Sequence, residues 1–74
     1  MNAFNTGWWI CFLSYTDTIS FRSDAQGLAF EQMSSSGIEV GEIDHIIASK
    51  TTMTEATKGI LVAYKKLKTK ESEV

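Results

Sequence analysis

Seven consecutive residues, Gly7-Trp8-Trp9-Ile10-Cys11-Phe12-Leu13, carry no polar side chain after the glycine. How this run is read decides the fold. As a β-strand from about Trp8 to Tyr15 it sends Trp8, Ile10 and Phe12 to one face and Trp9, Cys11, Leu13 and Tyr15 to the other, because side chains alternate with period two. Both faces are then apolar, and each needs a cover.

Working outward, Thr16-Asp17 reads as a turn, and Thr18-Ile19-Ser20-Phe21-Arg22 alternates polar and apolar as a half-buried strand does. The two runs make a hairpin. Its core face collects Trp8, Ile10, Phe12, Ile19 and Phe21. Ser23-Asp24-Ala25-Gln26 has the pattern of a capping box and opens a helix, with Ala25, Leu28, Ala29 and Met33 at helical spacing and Gly37 as a left-handed stop. Gly27 weakens that helix by about 1 kcal/mol relative to alanine.

The β-branched stretch Glu42-Ile43-Asp44-His45-Ile46-Ile47-Ala48 fits a third strand or the start of a helix, and we read it as a strand. Thr52-Met53-Thr54-Glu55 is a second capping box. Behind it Met53, Ala56, Ile60, Ala63, Tyr64 and Leu67 form an apolar stripe, and the small residues Ala56, Gly59 and Ala63 let this helix approach a sheet closely.

The expected fold class is therefore α+β: a two-layer β-β-α-β-α domain whose three-stranded antiparallel sheet, order 2-1-3, carries two helices on one face. One domain spans residues 1–69 and a polar tail residues 70–74. With 74 residues the chain is near the lower size limit for a self-supporting core, and its 43% hydrophobic and 22% charged residues are those of a globular protein. No apolar run approaches the ~18 residues of a membrane span, and the N-terminus lacks the features of a signal peptide, so a cytoplasmic location is expected.

Two helices fill one side of so narrow a sheet, which leaves Trp9, Cys11, Leu13 and Tyr15 as a protein interface unless the second helix crosses over to cover them. Tryptophan and tyrosine are enriched where binding energy concentrates. The leading functional expectation is a small non-enzymatic protein that binds another protein as an inhibitor or regulator, or pairs with itself as a homodimer. Its size suggests a phage or other mobile-element origin.

Catalysis has little to work with. Cys11 is the single cysteine and His45 the single histidine, the cysteine lies in an apolar run that opposes thiolate formation, and no third group is placed to orient the histidine. No metal-ligand spacing and no glycine-rich phosphate loop is present, so no metal and no cofactor is expected.

The charge of −2 is unevenly spread: residues 1–49 hold six acids against Arg22, giving −5, and residues 50–74 hold six lysines against three glutamates, giving +3. That concentration supports a second reading, a nucleic-acid-binding regulator contacting phosphates through Lys58, Lys65, Lys66 and Lys68, although the pI of about 5.2 argues against it.

Overall fold

The computed structural model describes residues 6–49 and 53–72, and these form four α-helices: α1 (Thr6–Ile19), α2 (Ala25–Ser36), α3 (Val40–Ala48) and α4 (Glu55–Ser72). No strand occurs among them. The α+β expectation, with its three-stranded sheet, is overturned: both hairpin strands and the third strand fall in helices or in the turn after α1.

The reason lies in the opening run. Seven apolar residues satisfy a period of 3.6 as readily as a period of two. Read helically, Trp9, Phe12, Leu13, Thr16 and Ile19 share a face, and all five are buried. The expected turn at Thr16-Asp17 is interior helix. Thr16 Oγ1 donates to the Phe12 carbonyl at 2.7 Å and Thr18 Oγ1 to the Ser14 carbonyl at 2.9 Å, so hydroxyls that look turn-forming are satisfied by the preceding helical turn. Of the residues assigned to the core face of the hairpin, Ile10 is 62% and Phe21 84% exposed.

The helix beginning after Ser23-Asp24 is present as α2, and Ala25, Ala29 and Met33 are buried as their spacing requires. Its cap differs from the expected box. Asp24 occupies the N-cap without a side-chain capping bond, because its carboxylate takes both bonds, 2.8 and 2.9 Å, from the Arg22 guanidinium. Gly37 ends α2 at φ +73°, the left-handed conformation that favours glycine.

Helix α3 replaces the third strand. Ile43 and Ile46 are buried and Ile47 half-buried, an i, i+3, i+4 set, and the Glu39 amide donates to Glu42 Oε1 at 3.0 Å to close the first turn. β-Branched content favours strands only weakly, and packing on α4 overrides it here.

Helix α4 starts at Glu55, so the cap is Thr54, whose hydroxyl accepts the Thr57 amide at 3.1 Å. Glu55 therefore sits in the first turn, not at the third position of a box opened by Thr52, which lies outside the described residues. The buried stripe is Thr57, Ile60, Leu61 and Tyr64. Ala56 is exposed, Leu67 is 41% exposed and Ala63 half-buried. Gly59 has open space where a Cβ would stand, so it serves no close approach. The helix continues through residues 70–72, which the sequence reading assigned to the tail.

Helix α4 is the hub. Its backbone approaches those of α1, α2 and α3, α1 and α2 also pack together, and α3 approaches α4 closely but not α1. Trp9, Met33, Ile43, Leu61 and Tyr64 meet in a single core with Thr16 and Thr57. A radius of gyration of 11.7 Å is close to the ~11 Å expected for one close-packed unit of this length. Two hydrogen bonds tie α1 to the start of α4: Thr57 Oγ1 and Thr54 Oγ1 donate to Asp17 Oδ1 at 2.7 and 3.0 Å, which seats a carboxylate of α1 at the N-terminus of α4, where the helix dipole favours negative charge.

Candidate functional site

At 3.6 residues per turn, Gly7, Ile10, Cys11, Ser14, Asp17 and Thr18 fall within an arc of about 120° on α1, with Phe21 following in the next turn. All seven are exposed. Asp17 is the one charged member; it stands at the α4 edge of the arc, where the two threonines hold it. The remainder of the arc is uncharged, and Ile10 and Phe21 place large apolar groups in water.

This follows a segregation along the whole chain. Residues 1–36 contain four charged side chains, Asp17, Arg22, Asp24 and Glu31, and residues 37–74 contain the other twelve. Arg22 and Asp24 pair with one another beside Phe21. Their hydrogen bond holds the Asp24 carboxyl below its ordinary range and raises Arg22, so the pair adds no net charge to this end of the helix.

Beside the arc lies a groove of about 180 Å³, lined by Trp8, Cys11, Phe12 and Tyr15 of α1 and by Gln32 of α2. The α1 residues are an i, i+3, i+4, i+7 set at the border with α2. Its floor is stiff: the Trp8 ring stacks on Phe12 with centroids 4.9 Å apart and planes 10° apart, and Trp9 meets both edge-on from the core side, at 5.2 and 5.7 Å.

The residues expected at the interface divide accordingly. Trp9 is 1% and Leu13 7% exposed, both in the core; Cys11 is exposed and Tyr15 half-buried, both on the groove. Period two grouped them, and a helix separates them. Ile10, Phe21 and Trp8, which the hairpin reading sent inward, are on the accessible side instead. Counts at helical spacing find them: Ile10, Ser14, Asp17 and Phe21 along one line, and Trp8, Cys11, Phe12 and Tyr15 along the next.

The lysines are partly committed. Lys65 Nζ lies 2.6 Å from Asp44 Oδ1 of α3. Lys68 Nζ lies 3.5 Å from Glu71 and over the Tyr64 ring at 5.4 Å, and Tyr64 first, then Glu71, holds its ammonium above the ordinary lysine range. Lys58, Lys66 and Lys70 are exposed. Cys11 and His45, considered together as a nucleophile and base, stand on α1 and α3, whose backbones do not approach one another closely. Among the described residues no group of three or more His, Cys, Asp or Glu side chains could hold a metal ion, and no helix is long and apolar enough to cross a membrane. Comparison with protein-family models, with curated proteins and with solved structures finds no match to this chain.

Proposed function

We propose that the protein is a small non-enzymatic binding protein that acts as an inhibitor or regulator by docking another polypeptide on the outer face of α1. One observation carries this reading: the exposed arc of α1 joins Ile10, Cys11, Ser14 and Thr18, with Phe21 in the turn after it and Asp17 at one edge as its single charge, and it runs beside an aromatic groove. Interface centres are depleted of charge and enriched in aromatic residues, whereas ordinary helix surfaces in water are charged. The C-terminal half of the chain, with α3 and α4, carries twelve of the sixteen charged side chains, which favour its dispersal in water.

Nucleic-acid binding is the weaker reading. Lys65 and Lys68 already have acidic or aromatic partners, and the three exposed lysines among the described residues, on a chain of net charge −2, make a small electrostatic footprint.

The test is a photo-crosslinking amino acid placed at Ile10 in one variant and at Lys66 in another, each expressed in the host cell and illuminated. A covalent adduct to a polypeptide from position 10, and none from position 66, is expected. Nucleic acid attached at position 66 with no adduct at position 10 reverses the assignment.

A further inference from the structure

The face formed by α1 and α2 has an apolar centre and an acidic rim. At the centre is the groove of about 180 Å³ bounded by Trp8, Cys11, Phe12, Tyr15 and Gln32. Its volume exceeds the roughly 150 Å³ of an apolar cavity that admits benzene, so one aromatic or branched aliphatic side chain fits.

The rim carries two carboxylates. Asp17, exposed at the α4 edge of the arc, accepts both of its threonine hydrogen bonds on Oδ1, and these neutral hydroxyls leave its charge in place. Glu31, exposed on α2, stands one residue before the Gln32 of the groove wall. Among the described residues neither carboxylate makes an ion pair, and Lys58, next to Thr57 on α4, is no exception. Arg22, the one cation of residues 1–36, is held by both carboxylate oxygens of Asp24. Residues 1–36 carry three acids against that arginine, a net −2, and after the Arg22–Asp24 pair is set aside the whole of it rests on Asp17 and Glu31.

We infer that the polypeptide docked on this face presents a cationic segment, which seats one large apolar side chain in the groove and sets lysine or arginine against Asp17 and Glu31. The inference rests on the protein-binding reading above and names the chemistry of the partner.

Charge complementarity carries it. A protein interface has an apolar core inside a polar rim, and opposite potentials across the rim steer encounter and reject wrong partners. Here the uncompensated rim is of one sign. An acidic segment would set like charges against both carboxylates, and a neutral segment would partly desolvate them with nothing in return. A cationic segment offsets both. The two threonine hydroxyls also fix the Asp17 carboxylate before any partner arrives, so less ordering is left for binding to impose on it.

The test selects a phage-displayed library of short random peptides on the immobilised full chain, then titrates the retained peptides, as synthetic labelled probes, by fluorescence anisotropy at low and high salt. Retained peptides are expected to combine a Phe, Trp, Leu or Met anchor with a net positive charge. Cys11→Gln, which narrows the groove mouth without adding charge, should weaken their binding about tenfold. Asp17→Asn keeps an oxygen for the two threonines and Glu31→Gln keeps the side-chain shape. Combined, they should weaken binding about three- to tenfold at low salt and by nothing measurable at high salt. Circular dichroism confirms that each variant is folded. Retained peptides that are neutral or acidic, binding indifferent to Cys11→Gln, or a double variant that matches the wild type at low salt overturns the inference. The adduct at Ile10 separates it from the parent reading: a crosslink to a neutral or acidic segment of another polypeptide retains protein binding and rejects the cationic partner, and no crosslink rejects both.

Discussion

Replacing Trp9 by alanine and by phenylalanine should give opposite outcomes, because the indole does two things in the core. Trp9 is 1% exposed and packs edge-on against Trp8 and Phe12. Truncation to alanine withdraws roughly 150–200 Å² of buried apolar surface, which at about 25 cal/mol per Å² is about 4–5 kcal/mol, within the measured range for large aromatic deletions. A chain of this length has a total stability of about 4–11 kcal/mol, so Trp9→Ala should remove most of it. The Trp9 Nε1 hydrogen is buried without a partner among the described residues. Trp9→Phe keeps a ring, loses about 1 kcal/mol of contact and relieves an unmade hydrogen bond whose burial costs about 1–3 kcal/mol. Its stability should match or exceed that of the wild type. Urea titration followed by far-ultraviolet circular dichroism, which does not depend on tryptophan emission, measures both midpoints. A phenylalanine variant that falls as far as the alanine variant would refute the reasoning about the orphaned donor, and an alanine variant with an unchanged midpoint would refute the placement of Trp9.

Four further outcomes are expected. Trp8→Ala, which truncates a half-buried ring on the groove floor, should cost about 1–2 kcal/mol by the same titration, well below Trp9→Ala. Thr57→Val removes a fully buried hydroxyl that donates at 2.7 Å to a carboxylate and should cost about 1.5–3 kcal/mol; a change under about 0.5 kcal/mol would show that the tie between α1 and α4 is dispensable. Gly37→Ala, at φ +73°, should destabilise by about 1 kcal/mol, while Gly59→Ala, in an open helical position, should stabilise by about the same amount, so two melts of one substitution type should move in opposite directions. Carbon-detected titration should find the Asp24 carboxyl ionising below the ordinary aspartate range, with Arg22→Ala returning it upward. Since its folded-state value is depressed, the small contribution of this exposed pair is complete above the unfolded-state value and is lost as pH falls through the folded-state value.

What the sequence determined by itself is local. The start of α2 was placed one residue early, at Ser23, through a capping box that the structure does not form, whereas its stop at Gly37 was legible because a left-handed glycine acts within one turn of the backbone. The position of α4 was legible for the same reason, although the shift of its cap from Thr52 to Thr54 moved the buried stripe to Thr57, Ile60, Leu61 and Tyr64. Two members of the candidate site, Cys11 and Tyr15, were named from sequence, but through a period-two grouping that also enlisted the buried Trp9 and Leu13. The remaining features belonged to the tertiary structure. An unbroken apolar run such as Trp8 to Leu13 contains no polar residue to choose between strand and helix, and in Ile43 to Ile47 the β-branched content pulled the reading toward a strand against the i, i+3, i+4 spacing of Ile43, Ile46 and Ile47, so the choice passed to the neighbours against which each could be buried. Packing on α4 made both helical. It also decided which of two adjacent tryptophans is core, and it joined Asp17 to Thr57 and Asp44 to Lys65 across separate elements, because such contacts depend on how helices meet and leave no mark in the spacing of residues along the chain.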